Sequence, residues 1–203
     1  MLPGEFEYRR VTSVEEAVSL LAENEEAKLL AGGHSLLPMM KLHFAAPSML
    51  VDIGGIQDLA FTKQDGDSLV VGSMTTHAHI AASDTVGAEH GALAEAAASI
   101  GDVQVRNRGT IGGSLAHADP AADYGAATLA LDAQIDLVGP NGQRAVDVTS
   151  FFSGFLSTAM EPAELITAIR FPSAGDSISV YEKFAQPASG FAIVGVAAKI
   201  TKQ

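Results

Sequence analysis

The chain has 203 residues, 47% of them hydrophobic, enough to bury a sizeable core. Its 24 acidic against 12 basic residues leave a formal charge of -12, which repels phosphate backbones and anionic lipid surfaces and disfavours nucleic acid as a partner. Cysteine is absent, so this sequence supplies no disulfide and no thiolate for an iron–sulfur cluster or a zinc site.

The opening MLPGEFEYRRV has no apolar stretch behind a basic start, and every apolar run falls well short of the ~20 residues that span a bilayer. A cytoplasmic, soluble protein is the expectation. Ser13 followed by Glu16 forms an S-x-x-E capping pattern, and Val14, Ala17, Val18, Leu20 and Leu21 recur at helical spacing up to about Glu25. The short apolar run Ala27 to Ala31 stops at Gly32-Gly33 and predicts a buried strand ending in a tight loop; Met49 to Ile53 predicts another. Residues 1–55 therefore read as a small α/β unit.

From Gly54-Gly55 the texture becomes α+β. A strand is predicted at Leu69 to Gly72, with an Ala-rich helix around Gly91 to Ile100 and a second from about Ala121 to Leu131. Gln134 to Val138 and Arg144 to Val148 alternate apolar and polar residues on either side of Pro140-Asn141-Gly142, the signature of a hairpin, and Leu165 to Phe171 can extend its sheet. PSAGD, Pro172 to Asp176, reads as a linker. Beyond it come one alternating strand around Val180 to Lys183 and one apolar strand, Ala192 to Ile200; two strands alone make a marginal unit, so the expectation is that either the rest of a third domain is missing from this chain or these strands pack on a partner.

Two segments carry chemistry. Leu29 to Leu36 runs from a buried strand through Gly32-Gly33 to Ser35 and a short helix, and Thr110-Ile111-Gly112-Gly113-Ser114 again brackets paired glycines with hydroxyl residues. Paired glycines allow positive φ and bring backbone N–H groups close to an anion, and a following helix adds its dipole. One such segment alone is more often a tight turn. Two of them suit the two phosphates of a dinucleotide, and neither has the spacing of a Rossmann or P-loop motif.

AGGHS at Ala31 to Ser35, and TIGGS with AHADPAAD after it, Thr110 to Asp123, resemble the two FAD motifs of the molybdopterin dehydrogenase flavoproteins. The likeness extends through LLPMMKL, VRNRGTIGG and YEKFAQPASGFA over nearly the whole chain, and is strongest to medium subunits of the aerobic carbon monoxide dehydrogenase type. It implies an α+β fold in which two α/β subdomains, 1–55 and 56–172, clasp FAD, with residues 173–203 beginning a C-terminal domain cut short at Gln203. It implies that Leu30, Ala31, Gly32, Gly33, His34 and Ser35, with Thr110, Ile111, Gly112, Gly113 and Ser114, hold the FAD phosphates. It also implies that Asp123 binds a ribityl or ribose hydroxyl, and that Ile100, Ile166 and Lys183 lie beside the flavin as apolar walls and a cationic neighbour. Ser114 stands where the family commonly carries Asn, and Phe191 where some members carry Tyr.

The function implied is that of an electron-transfer flavoprotein. Substrate is oxidised at a molybdenum cofactor on a large partner subunit, and electrons pass through [2Fe-2S] clusters on a small partner subunit to non-covalent FAD and an external acceptor. The alternatives are a self-sufficient FAD-dependent oxidoreductase, or a non-catalytic assembly or interaction protein that kept the fold. Other polar residues have plainer readings. His77 and His79, two apart at a helix start, point to different faces and form no metal pair; Asp119, before Pro120, reads as an N-cap; Arg106 and Arg108 read as a solvated or subunit-facing surface.

Overall fold

The computed structural model describes residues 2–201. The first layer follows from local signals. Strand β1 (Glu7–Arg10), helix α1 (Val14–Glu23), strand β2 (Ala27–Leu30), helix α2 (Leu36–Lys41) and strand β3 (Met49–Asp52) form a parallel sheet of order β1-β3-β2. Ser13 Oγ accepts from the Glu16 amide, and the Glu16 carboxylate accepts from the Thr12 amide, so the predicted capping pattern closes at the start of α1. The helix turns Ala17, Val18 and Leu21 onto a core of Val11, Ala27, Val51 and Ile53, and Leu165 from the second layer completes that core.

The second layer is a five-stranded antiparallel sheet, with strands β4 (Thr62–Asp65), β5 (Ser68–Gly72), β6 (Gln134–Gly139) and β7 (Gly142–Asp147). Between β5 and β6 come six helices: α3 (His77–Ala81), α4 (Asp84–Glu89), α5 (Gly91–Ser99), α6 (Val103–Arg108), α7 (Ile111–His117) and α8 (Asp123–Ala130). One-turn α9 (Val148–Phe151) and the ribbon of β8 (Phe152–Gly154) and β9 (Ser157–Thr158) lead to β10 (Leu165–Phe171), which enters between β5 and β6 as the central strand. The 134–138 alternation faces its apolar residues inward: Ile135 and Leu137 are buried with Leu69, Val71, Ile169 and Phe171.

Strands β11 (Ser177–Ala185) and β12 (Ala192–Thr201) form a separate antiparallel hairpin. They do not stand alone as a two-stranded unit. One face lies on α5 and α8, with Tyr181 buried in the main core, and Ser179 Oγ accepts from the Ala92 amide at the start of α5. The other face leaves Ile178, Val180, Phe184, Val194, Val196 and Ile200 exposed. No helix among the described residues is long and apolar enough to cross a membrane.

Candidate functional site

The two glycine segments are 80 residues apart in sequence and touch in space. A Cβ on Gly32 would lie 2.2 Å from the Arg108 carbonyl oxygen, so glycine there is what lets the first segment sit against the second. Gly33 has φ +77°, and it alone of the four motif glycines needs the left-handed region; Gly112 is glycine because a Cβ would lie 2.5 Å from Ser73 Cβ. The second pair is also not a loop. Gly112 and Gly113 form the first turn of α7, capped by Thr110, whose Oγ1 accepts from the Gly113 amide.

The two segments differ in which donors they leave free. Among the described residues the amides of Gly32, Gly33, His34 and Ser35 have no acceptor, so the first segment presents an open row of N–H groups. On the second, the Ile111 amide donates to Thr75 O, that of Gly112 to Ser73 O, and that of Ser114 to Thr110 O. Among the described residues the Thr110 amide alone of this segment has no acceptor, so the segment's contribution to the space between the two is made mainly by side chains.

That space is a cleft of about 1140 Å³ between the two layers. It exceeds the ~300–1,000 Å³ usual for small-ligand sites, which suits an extended dinucleotide. Ala31, Gly32, Gly33, His34 and Ser35 line one wall, and Thr110, Gly112, Gly113 and Ser114 the other; Ile100, Asp123 and Ile166 also face it. Three of the residues singled out from sequence do not line it. Leu30 ends β2 and packs toward Gly33 and Leu37; Ile111 is fully buried in the main core, where it anchors α7; Lys183 lies behind Asp123.

Asp123 is the first residue of α8 and is almost completely buried. Its carboxylate accepts from the Tyr181 hydroxyl at 2.7 Å and pairs with Lys183 Nζ at 2.9 Å, and Lys183 also donates to Ser99 O. Asp119 does not cap α8. Its Oδ1 accepts from the Ala121 amide in the turn before the helix, because Pro120 and two alanines intervene before the helix begins at Asp123. Arg106 closes the C-terminal end of α5 by donating to Ile100 O and Gly101 O.

Sequence reasoning did not place Ser73, His77 or Phe191 among the site residues, and all three line the cleft. Ser73 has no sequence signal beyond following a strand, and its buried hydroxyl has no partner among the described residues. His77 and His79 do point to different faces of α3, one buried and one exposed. His77 Nδ1 lies 3.1 Å from the hydroxyl of the fully buried Tyr124, and burial, with His34 and Arg106 nearby, lowers its pKa to about 4. Desolvation pushes the Tyr124 hydroxyl well above its ordinary value. Among the described residues no group of His, Asp or Glu side chains is arranged to hold a metal ion.

A fold of two layers around such a cleft, with a glycine segment from each, defines a class. The chain belongs to the family described as the FAD binding domain in molybdopterin dehydrogenase, whose pattern matches residues 4–174. It is similar throughout to the carbon monoxide dehydrogenase medium chain of Hydrogenophaga pseudoflava, with 45% identity covering 100% of this chain and 71% of that protein. The medium chain of the same enzyme from Afipia carboxidovorans is 40% identical, covering 99% of this chain and 70% of that one. A solved structure, carbon monoxide dehydrogenase from Hydrogenophaga pseudoflava lacking the Mo-pyranopterin moiety, superimposes with a TM-score of 0.97 over 100% of this chain and 71% of that one. By these likenesses the chain is a medium-subunit type of FAD-binding oxidoreductase component.

Proposed function

We propose that the chain binds FAD non-covalently in this cleft and serves as the flavoprotein member of a cytoplasmic three-subunit molybdenum hydroxylase. In that assembly a large subunit carries the molybdenum cofactor and oxidises the substrate, and a small subunit carries [2Fe-2S] clusters that deliver electrons to FAD for an external acceptor. The observation that carries the reading is the contact of Gly32 with Arg108 O, which joins the two glycine segments across one cleft. With no cysteine in this sequence, thiolates for the clusters come from another chain.

The residues present fit the cofactor. Bound FAD supplies the redox chemistry, and the protein's part is to bind, orient and shield it. The free amides of residues 32–35 are donors for phosphate oxygens, and Gly33 in the left-handed region keeps that row open. Thr110 and Ser114 add hydroxyls from the opposite wall, while Ile100 and Ile166 are apolar surface for an aromatic ring system. Asp123, held by Lys183 and Tyr181, offers a fixed carboxylate to a sugar or ribityl hydroxyl. We assign residues 1–55 and 56–172 as the two clasping subdomains, and the hairpin from residue 173 onward as the start of a further one.

Protein purified with its neighbours should show a flavin visible spectrum, release the yellow chromophore on acid precipitation, and co-purify with a cysteine-rich iron–sulfur chain and a large molybdenum chain. Colour retained in the acid pellet would contradict non-covalent binding. A colourless protein that takes up no added FAD would remove the proposal altogether.

A further inference from the structure

We propose that His77, held by Tyr124 as the tautomer protonated at Nε2, is a binding residue that donates a hydrogen bond to the diphosphate of the dinucleotide at the seam between the two glycine segments. The inference rests on the reading of the cleft as an FAD site. It adds a donor that lies in neither glycine motif.

The need for such a donor follows from the amides. Each N–H from Ile111 to Ser114 is spent within the protein, on Thr75 O, Ser73 O, Thr110 Oγ1 and Thr110 O in turn. Of the second segment only the Thr110 amide is left without an acceptor among the described residues, against the row of amides offered by residues 32–35. A dianionic diphosphate lying between the walls would be served mainly from one side, unless side chains act from the other.

His77 is placed to do so. Its own amide donates to Gly109 O, which draws the first residue of α3 against the start of the second glycine segment. A Cβ on Gly109 would lie 2.4 Å from His77 Nε2, so the imidazole edge rests on that glycine, one residue from Thr110 and beside the Gly32 contact with Arg108 O. His77 lines the cleft. Among the described residues Nε2 has no hydrogen-bond partner.

Tyr124 determines which nitrogen carries the proton. Its ring is fully buried, and among the described residues its hydroxyl has only His77 Nδ1 within reach. If Nδ1 carried the proton, the phenolic hydrogen would be stranded in the core, so the phenol donates and Nδ1 accepts. Nε2 is then left as N–H, a neutral donor aimed at the seam. The apolar surfaces suited to rings, Ile100, Ile166 and Phe191, are separate residues of the same cleft, and the seam itself is built of backbone and hydroxyls. That polarity assigns Nε2–H to phosphate oxygen rather than to the flavin ring.

The test compares wild-type protein with His77→Phe and His77→Gln, measuring FAD affinity by flavin fluorescence, the two phosphorus resonances of bound FAD, and the flavin visible band. A neutral donor to a charged oxygen predicts that His77→Phe weakens FAD binding about 10- to 100-fold. The phosphorus resonances should shift while the visible band stays in place, and His77→Gln, which keeps an N–H, should recover part of the affinity. Equal losses in the two variants with unmoved phosphorus resonances would assign the effect to packing and overturn the proposal. A shifted visible band with unmoved phosphorus resonances would place His77 at the ring and overturn it as well. Should His77→Phe not fold, Tyr124→Phe takes its place: it releases the tautomer, so a smaller loss with the same phosphorus shift is expected, and no change in either would count against the proposal. Wild-type protein that takes up no FAD would instead sink the reading of the cleft beneath it.

Discussion

Lys183, on the β11–β12 hairpin, and Asp123, at the start of α8, form an ion pair of 2.9 Å whose side chains are each only 6% exposed. The pair ties a C-terminal element to the floor of the cleft. It is completed by the Tyr181 hydroxyl on Asp123 and by Ser99 O on Lys183, so the carboxylate and the ammonium are both supported by further hydrogen bonds. Such a pair contributes little against an apolar replacement of both members, but removing one leaves a buried charge alone.

Lys183→Met should therefore cost about 3–5 kcal/mol of unfolding free energy, toward the lower end because Tyr181 remains. Lys183→Met combined with Asp123→Asn should cost less than Lys183→Met alone. Urea unfolding of the apo protein measures both, and a double variant as unstable as the sum of the single ones would show that the pair is not coupled.

Truncation after Pro172 removes Tyr181 and Lys183 together. The faces of α5 and α8 beneath the hairpin become exposed and Asp123 loses both partners, so the thermal midpoint should fall markedly while the two glycine segments stay in the chain. An unchanged midpoint would mean that the hairpin contributes nothing to the core on which it lies.

Gly33→Val should abolish FAD uptake while leaving most of the apo fold in place, because a β-branched residue resists φ +77° and its Cβ would press on the Leu37 and Leu30 side chains, displacing the turn that presents the free amides. Gly113→Val should do the same from the other wall. Ser114→Ala should weaken FAD binding by only about 0.5–1.5 kcal/mol, the size of one neutral hydrogen bond. Gly32→Ala differs in kind, since its methyl would strike the Arg108 carbonyl and push the walls apart. Full FAD occupancy in the two valine variants would contradict the phosphate cradle.

Acid should destabilise the apo protein in a defined window. Burial lowers the pKa of both His77 and His90 to about 4, with Lys199 adding to the effect on His90, whereas in the unfolded chain they titrate near the ordinary 6.5. Between these values the unfolded state holds protons that the folded state does not, so stability falls as pH drops from about 6.5 to about 4 and then levels for these groups. Among the described residues neither ring nitrogen of His90 has a partner, and both are buried beside the Phe171 ring. His90→Leu should thus flatten the slope with no loss at neutral pH, and an unaltered slope in thermal melts across that window would rule out His90 as a source.

Much of the architecture was legible along the chain because its signals are local. Ser13 and Glu16 cap a helix within a single turn, the alternation of Gln134 to Val138 reports a half-buried strand, and the paired glycines announce close approach wherever they fall. The likeness of AGGHS and TIGGS to known FAD motifs rests on the same short stretches. Helices α3, α4 and α6, of five or six residues, are too short for a 3.6-residue period to register. What each glycine does was decided only by the tertiary structure: Gly33 by its φ, Gly32 by the Arg108 carbonyl, Gly112 by Ser73. So was the division of labour between the walls, since the carbonyls of Ser73 and Thr75 consume amides some 40 residues later in the chain. Lys183 and Asp123, 60 residues apart, and His77 and Tyr124, 47 apart, meet because the sheet and its helices close around one core. Contacts between single residues at such separations leave no periodicity in the sequence, so only the packed chain reveals them.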